Sequence, residues 1–360
     1  MKRILILTVS YGEGHNAAAR GIRDGLARLA PSAPVETHDL FAETYGRFND
    51  ILRKGYATLI DRWPRSWGTV YRWLDRKNEF DTDLQRLFSP VKKRFALLLT
   101  RFQPDVVVSV FPPYPYLLQQ VAPRRTCRSV VVVTDSITVN AIWYRSAADY
   151  LLVPNEQSAA VVRAAGLAPQ IIKTFGFPVN PKFADIARDR QPPSAAEGAR
   201  VLYMISAGTR HAPETVRRLL DLGVQLTVTV GRDEKLRRRV EKSSPDRKID
   251  IVGWTDQLPQ MMSATHLLIG KAGGATVQEA IAAGCPMIIN HVVSGQEEGN
   301  AQLIVETNSG TIAQSPDEVL TQVERAFASG ATQWREWANN IAKLSRPRAS
   351  LDIAEFLLAL

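Results

Sequence analysis

The chain has 360 residues, 45% hydrophobic and 22% charged, which excludes a disordered protein and calls for two domains rather than one core. Two distant cysteines, Cys127 and Cys285, argue against a disulfide framework or zinc site, and no run reaches the ~18–20 apolar residues of a membrane span. A net charge of +9 favours anionic partners, without choosing among nucleic acid, acidic lipid headgroups and phosphorylated small molecules.

The first element is the apolar run "RILILTV". With Met1-Lys2-Arg3 before it, the run has the outline of a signal peptide, but it is too short, has no cleavage site and enters a glycine turn. It reads as a buried first strand. The following "SYGEGHNAAARGI" (Ser10 to Ile22) opens a helical pattern and contains a Gly-x-Gly-x-x-Ala fingerprint through Gly12, Gly14 and Ala17. Three readings stay open at this point. The turn holds a dinucleotide pyrophosphate, with Asp39 as the distant acidic partner; or His15 bonds locally to backbone; or the turn presents His15 for chemistry. Glu13 disfavours the first, because its charge would repel a pyrophosphate.

Further along, "PVETHDL", "DVVVSVF", "SVVVVTD", "DYLLVP" and "IIKTFGF" are strand candidates, followed after a polar stretch by "VLYMIS", "LTVTVG", "IDIVGW", "HLLIGK", "PMIINHV" and "GTIAQ". Near-continuous apolar strands alternating with helices predict parallel sheets covered on both faces. The expected fold is α/β, with two Rossmann-like, doubly wound domains facing each other across a cleft. The expected boundaries are residues 1–186 for the first domain, 187–199 for a linker and 200–345 for the second domain. Residues 346–360 form a C-terminal helix that packs back on the first domain.

The segment from Asn49 to Phe102 breaks this alternation. It has helical patterns but no good strand, with Tyr56, Trp63, Trp67, Tyr71 and Trp73 among many arginines and lysines. It reads either as a helical insertion with a solvated face or as an interfacial patch for anionic lipid. No nucleic-acid motif accompanies it. Asp81-Thr82-Asp83 has the Asp-x-Asp spelling of metal-dependent transferases, but lies in a polar helical segment and reads as a solvated face or helix start.

The most specific stretch is "LLIGKAGGATVQEAIAAGCPMIINHVVSGQEEGNAQLI", Leu267 to Ile304. A buried strand ends at Gly270 and a glycine-rich turn leads into a helix near Ala275 or Thr276. Backbone N–H groups at such a helix start converge on an anion, and Gly273 and Gly274 let a phosphate approach. Glu279, one turn in, suits a ribose diol.

With these blocks the chain resembles the family 28 glycosyltransferases of the GT-B fold. It is most similar to monogalactosyldiacylglycerol synthases and bacterial processive diacylglycerol glucosyltransferases. The resemblance runs through "YGEGH", "VVTDS" with Trp143 downstream, "GFPVNPKF", "GKAGGATVQEA" and "SGQEEGN". It implies that Gly273, Gly274 and Thr276 contact the diphosphate of a UDP-sugar, and Glu279 its ribose. Gln296 and Glu297 read the sugar hydroxyls with support from Asn300, and Gly253 and Trp254 form the uracil-contacting loop. Gly208 and Thr209 cover the phosphates, together with Arg210, whose part is inferred from charge and position. Gly12, Gly14 and Trp143 belong to the acceptor side.

Three departures stand out. Ala272 replaces a common proline. Asn180 replaces an arginine expected near the diphosphate, leaving Lys173, Lys182 or Arg210 to substitute. Asn140 replaces a histidine of plant-like members.

The implied reaction is inverting transfer of a hexose from UDP-galactose or UDP-glucose to diacylglycerol. UDP-sugar is then a co-substrate, and no cofactor or metal is expected. A neutral His15 imidazole suits the general base, and Asp135 orients the imidazole or the acceptor hydroxyl, or acts as base itself. The expected location is cytoplasmic, peripheral on the inner face of the cell membrane, with an anionic membrane surface as partner and no nucleic acid. Other readings are a lipid-linked peptidoglycan N-acetylglucosaminyltransferase, a UDP-sugar sensor without turnover, and a dinucleotide oxidoreductase.

Overall fold

A computed structural model describes residues 1–49, 55, 88–137, 139–146, 148–186, 191–194, 198–206, 210–293 and 297–360. Most of the aromatic and basic segment, Asp81-Thr82-Asp83 and part of the expected linker lie outside these residues. The chain divides into two compact units: Met1–Pro181 with Val293–Gly299 and Arg348–Leu360, and Lys182–Val292 with Asn300–Pro347. The second unit thus begins at Lys182, ahead of the expected linker.

All twelve strand candidates form strands. In the first unit they are β1 (Ile4–Leu7), β2 (Val35–His38), β3 (Val106–Ser109), β4 (Arg128–Val132), β5 (Tyr150–Val153) and β6 (Ile172–Thr174). They pair in parallel in the order β2-β1-β3-β4-β5-β6. Every residue of β1 and β3 is buried, because helices cover both faces. These helices are α1 (Glu13–Leu29), α2 (Leu40–Tyr45), α3 (Ser89–Phe102), α4 (Pro113–Val121) and α5 (Glu156–Ala164).

The C-terminal helix Ala349–Ala359 packs against α1. Gly25 makes that approach possible, since a Cβ there would sit 2.5 Å from the Ser350 carbonyl oxygen. The Ser350 hydroxyl in turn donates to the Val179 carbonyl. One turn earlier, a Cβ on Gly21 would collide with the Pro178 carbonyl. Two glycines four apart on one helix face thus let "GFPVNP" and the C-terminal helix lie directly on α1.

The second unit contains β7 (Arg200–Met204), β8 (Gln225–Gly231), β9 (Asp250–Gly253), β10 (Leu267–Lys271), β11 (Met287–His291) and β12 (Gly310–Ile312). They pair in parallel in the order β12-β11-β10-β7-β8-β9. The helices here are α6 (Ala212–Asp221), α7 (Glu234–Ser243), α8 (Leu258–Ala264), α9 (Gly274–Ala283), α10 (Glu298–Glu306), whose first two residues are counted with the first unit, and α11 (Pro316–Leu344). A capping box between Ser315 and Glu318 starts α11, and Trp334 and Trp337 of that helix enter the core.

Both sheets are doubly wound, each from its own first strand. The strand order reverses between β1 and β3 in the first unit and between β7 and β10 in the second. In open α/β sheets the crevice outside the carboxyl ends of the strands at such a reversal is where ligands bind. "YGEGH" follows β1 and "AGGAT" follows β10.

Candidate active site

In the first unit, the loop after β1 is held by side chains bonded to its backbone rather than by its glycines. The Tyr114 hydroxyl donates to the Thr8 carbonyl at 2.7 Å and accepts from the Leu40 N–H at 3.1 Å. Asp39 accepts from Ser10 N–H at 2.9 Å and caps α2 by accepting from Ala42 N–H at 2.9 Å. Asp39 is therefore engaged in holding the loop. Helix α1 starts from Gly12 in an extended conformation, φ −169° and ψ 147°, which any residue adopts. A Cβ on Gly12 or Gly14 would meet nothing within 4 Å, so the two glycines leave room above the turn. Glu13 points away into an exposed ion pair with Arg20 at 2.6 Å.

His15 is the third residue of α1 and is half-buried. Its Nδ1 lies 2.6 Å from the Val110 carbonyl oxygen, just past β3, and 3.3 Å from Thr134 Oγ1, past β4. A carbonyl only accepts, so Nδ1 carries the proton and the Nε2 lone pair is the basic atom. Burial lowers the His15 pKa from 6.5 to about 4, against the smaller raising effect of the Val110 bond. Desolvation is thus the chief cause of the neutrality expected of His15. The His15 ring also contacts Phe111 edge-on at 5.5 Å and Trp143 at 6.0 Å between centroids.

Asp135 does not end a strand as its sequence block suggests, because β4 stops at Val132. It sits three residues further on, in a loop with Ile137 at φ 58°, an uncommon conformation for a β-branched residue. Ser158 Oγ holds this bend by accepting from the Ile137 N–H at 3.0 Å. Asp135 Oδ2 accepts from Trp143 Nε1 at 2.7 Å. The following one-turn helix, Ala141–Trp143, is capped by Asn140, whose side chain accepts from Ile142 N–H at 3.1 Å. Trp143 thus touches both groups, its indole N–H on Asp135 and its ring 6.0 Å from the His15 imidazole. The His15 partners Val110 and Thr134 were missed: a backbone carbonyl leaves no residue-type signal, and Thr134 is overshadowed by Asp135.

In the second unit, helix α9 begins at Gly274 with Gly273 as N-cap, one or two residues earlier than its sequence suggests. No side chain caps it, so its first N–H groups remain for another acceptor. Thr276 and Glu279, three apart, share one face of α9, and both are half-buried. Glu279 lies six residues into the helix rather than one turn. Asn300, only 3% exposed, donates from Nδ2 to the Ala272 carbonyl at 3.1 Å and braces the glycine turn.

Glu297 is buried, and its Oε2 accepts from Val293 N–H at 3.0 Å. It closes a loop whose centre, including Gln296, lies outside the described residues. Gly208 and Thr209 also lie outside them. Arg210 is exposed, and its carbonyl accepts from Arg239 Nη2 at 3.1 Å. Gly253 ends β9, and the next residue, Trp254, is 65% exposed with the Arg232 guanidinium 5.3 Å from its ring centroid. Beside Arg232 an open cavity of about 590 Å³ lies at the carboxyl ends of β7 and β8, lined by Ile205, Ser206, Gly231 and Lys235. Lys182 makes a long ion pair with Asp256, at 3.7 Å.

Comparison with known proteins gives these arrangements a family. Residues 15–179 match the family model described as monogalactosyldiacylglycerol (MGDG) synthase, and residues 206–345 match the glycosyltransferase family 28 C-terminal domain. The chain is 28% identical to the chloroplastic monogalactosyldiacylglycerol synthase of Spinacia oleracea, covering 99% of this chain and 72% of that protein. It is 27% identical to monogalactosyldiacylglycerol synthase 1 of Arabidopsis thaliana, covering 98% and 70%. Among solved structures, Acinetobacter baumannii MurG matches with a TM-score of 0.65 at 12% identity, over 100% of both chains. Os79 from Oryza sativa in complex with UDP matches at 0.63 and 14% identity, over 99% of this chain and 100% of that one. These likenesses show the GT-B fold. Two matched regions in the same order and homology along nearly the whole chain identify this protein as a member of the family 28 glycosyltransferases, of the monogalactosyldiacylglycerol synthase type.

Proposed function

We propose that the protein transfers a hexose from UDP-galactose or UDP-glucose to diacylglycerol, with inversion, at an anionic membrane surface on the inner face of the cell membrane. The observation that carries this reading is the His15 imidazole, held in one tautomer by the Val110 carbonyl at 2.6 Å. Its Nε2 accepts the proton of the acceptor hydroxyl as that oxygen attacks the anomeric carbon. The new carbon–oxygen bond forms as the bond to UDP breaks, and the charge goes to the diphosphate. A base of low pKa suffices, because a hydroxyl becomes strongly acidic as its oxygen bonds to carbon. Asp135, held by the Trp143 indole, orients the acceptor hydroxyl or the imidazole.

The uncapped start of α9 receives the diphosphate, with Gly273, Gly274 and Thr276 around it and Gly208, Thr209 and Arg210 covering it. Glu279 accepts from the ribose hydroxyls, and Gln296, Glu297 and Asn300 bind the sugar or its loop. Gly253 and Trp254 hold the uracil. The acceptor enters over Gly12 and Gly14. UDP-sugar is a co-substrate, and no metal or cofactor takes part. The reading is tested by incubating the protein with either UDP-sugar and diacylglycerol vesicles. A β-linked glycosyldiacylglycerol is expected; an α-linked product contradicts inversion, and no lipid product contradicts the acceptor.

Glu279→Ala is expected to weaken UDP binding by about 1–3 kcal/mol, the cost of losing charged hydrogen bonds. Calorimetry giving the parental affinity would remove Glu279 from the site. For the membrane, the proposed contact is the segment from Asn49 to Phe102. Within its described part, α3 exposes Lys93 and, four residues on, Leu97 at 72%. Among the described residues no helix is long and apolar enough to cross a membrane. Binding to anionic vesicles is expected to weaken as salt rises, since screening shortens the reach of the cations. Sedimentation showing equal, salt-independent binding to neutral vesicles would leave the basic residues without this role.

A further inference from the structure

We infer that Trp143 is a positioning residue for the transfer step: its indole N–H fixes the Asp135 carboxylate, and its ring packs beside the His15 imidazole. This rests on the proposed roles of His15 and Asp135. Trp143 is 1% exposed, packed with Val131, Val133, Leu151 and Val153, so its ring has no freedom to turn. It ends the one-turn helix Ala141–Trp143, whose start Asn140 caps, and that turn delivers the indole to the loop after β4. Its single donor is spent on Asp135 Oδ2 at 2.7 Å, and its ring lies 6.0 Å from the imidazole at 44°.

An indole bonded to a carboxylate makes a charge-assisted hydrogen bond, stronger and more directional than a neutral one. Such a bond uses one of roughly four acceptor positions, so the carboxylate keeps its charge while losing its rotation. That matters here because burial disfavours the imidazolium form of His15. A carboxylate held by the same indole that contacts the imidazole offsets that cost better than one free to swing away. A preorganised charge needs no reorganisation during the reaction.

The test is a double-mutant cycle on UDP release from UDP-galactose or UDP-glucose with diacylglycerol vesicles. Trp143→Phe keeps a ring and removes the donor; Asp135→Asn keeps an acceptor oxygen and removes the charge. Trp143→Phe is expected to lower kcat about tenfold with the UDP-sugar KM within about twofold, and to cost less than about twofold in the Asp135→Asn background. Equal losses in both backgrounds, or a loss matched by the unfolded fraction in thermal melts, would overturn the inference. If Trp143→Phe does not fold, incorporating the sulfur isostere of tryptophan, which keeps the bicycle and lacks N–H, gives the same two outcomes. If His15→Ala and Asp135→Asn themselves keep the parental kcat, it is the underlying proposal that fails.

Discussion

His15→Ala is expected to lose about 10²–10⁴-fold in kcat, the usual span for a general base, while UDP-sugar affinity hardly moves. The two effects separate because the proposed diphosphate and ribose contacts, on α9, belong to the second unit, and His15 to the first. The pH dependence sharpens the expectation. An unperturbed histidine would give a rate that rises through pH 6.5; here burial holds the imidazole neutral down to about 4. The parental kcat/KM should therefore be level through pH 6.5 and fall only as pH approaches 4, where Nε2 takes a proton. In His15→Ala that acid limb should vanish along with the rate. A variant that folds normally and turns over at the parental rate would leave Asp135 as the candidate base. A variant that melts early yet keeps its activity per folded molecule would reduce His15 to a structural role.

Gly21→Ala is expected to be the most damaging small substitution in the first unit. In an open helix the change would stabilise by up to ~1 kcal/mol, because alanine is the better helix former. At Gly21 the added methyl would collide with the Pro178 carbonyl and sit 2.9 Å from the Val179 carbonyl oxygen, both backbone atoms. Neither can rotate aside, so α1 or the "GFPVNP" turn must move, and the expected cost is about 3 kcal/mol or more. Helix α1 carries His15, so a shift there also displaces the imidazole from Val110. Gly14→Ala, where a Cβ meets nothing within 4 Å, serves as the stability control. Thermal melts should show Gly21→Ala falling well below the parent and Gly14→Ala staying near it. A Gly21→Ala protein as stable as the parent would mean that α1 does not lie so close to the turn.

Much of the fold was legible because buried parallel strands are apolar on both faces, so runs such as "ILIL" and "VVVS" announce themselves. The glycine turn after β10 was legible for a similar local reason. Its helix start was misjudged because Gly274, a poor helix former, occupies the first turn; a first-turn N–H has no intrahelical partner to lose. Asp135 was found by its block but misplaced, since the apolar run "SVVVVT" outlasts the strand pairing that ends at Val132. What the sequence could not show was contact between distant segments. His15 meets Val110 across 95 positions and Thr134 across 119, and the first of these is a backbone carbonyl. The close approach at Gly21 was equally hidden, because glycine in a helical pattern reads locally as weakness.

The deciding measurement is UDP release by the purified protein across a matrix of donors and acceptors. UDP-galactose, UDP-glucose and UDP-N-acetylglucosamine would each be offered with diacylglycerol vesicles, with polyprenyl-linked muramoylpeptide lipid, and with no acceptor. UDP release is expected only when a hexose donor, galactose or glucose, meets diacylglycerol, and it should be lost in His15→Ala. Release confined to UDP-N-acetylglucosamine with the polyprenyl lipid, or UDP-sugar binding with no release from any pair, would contradict the proposed glycolipid synthesis.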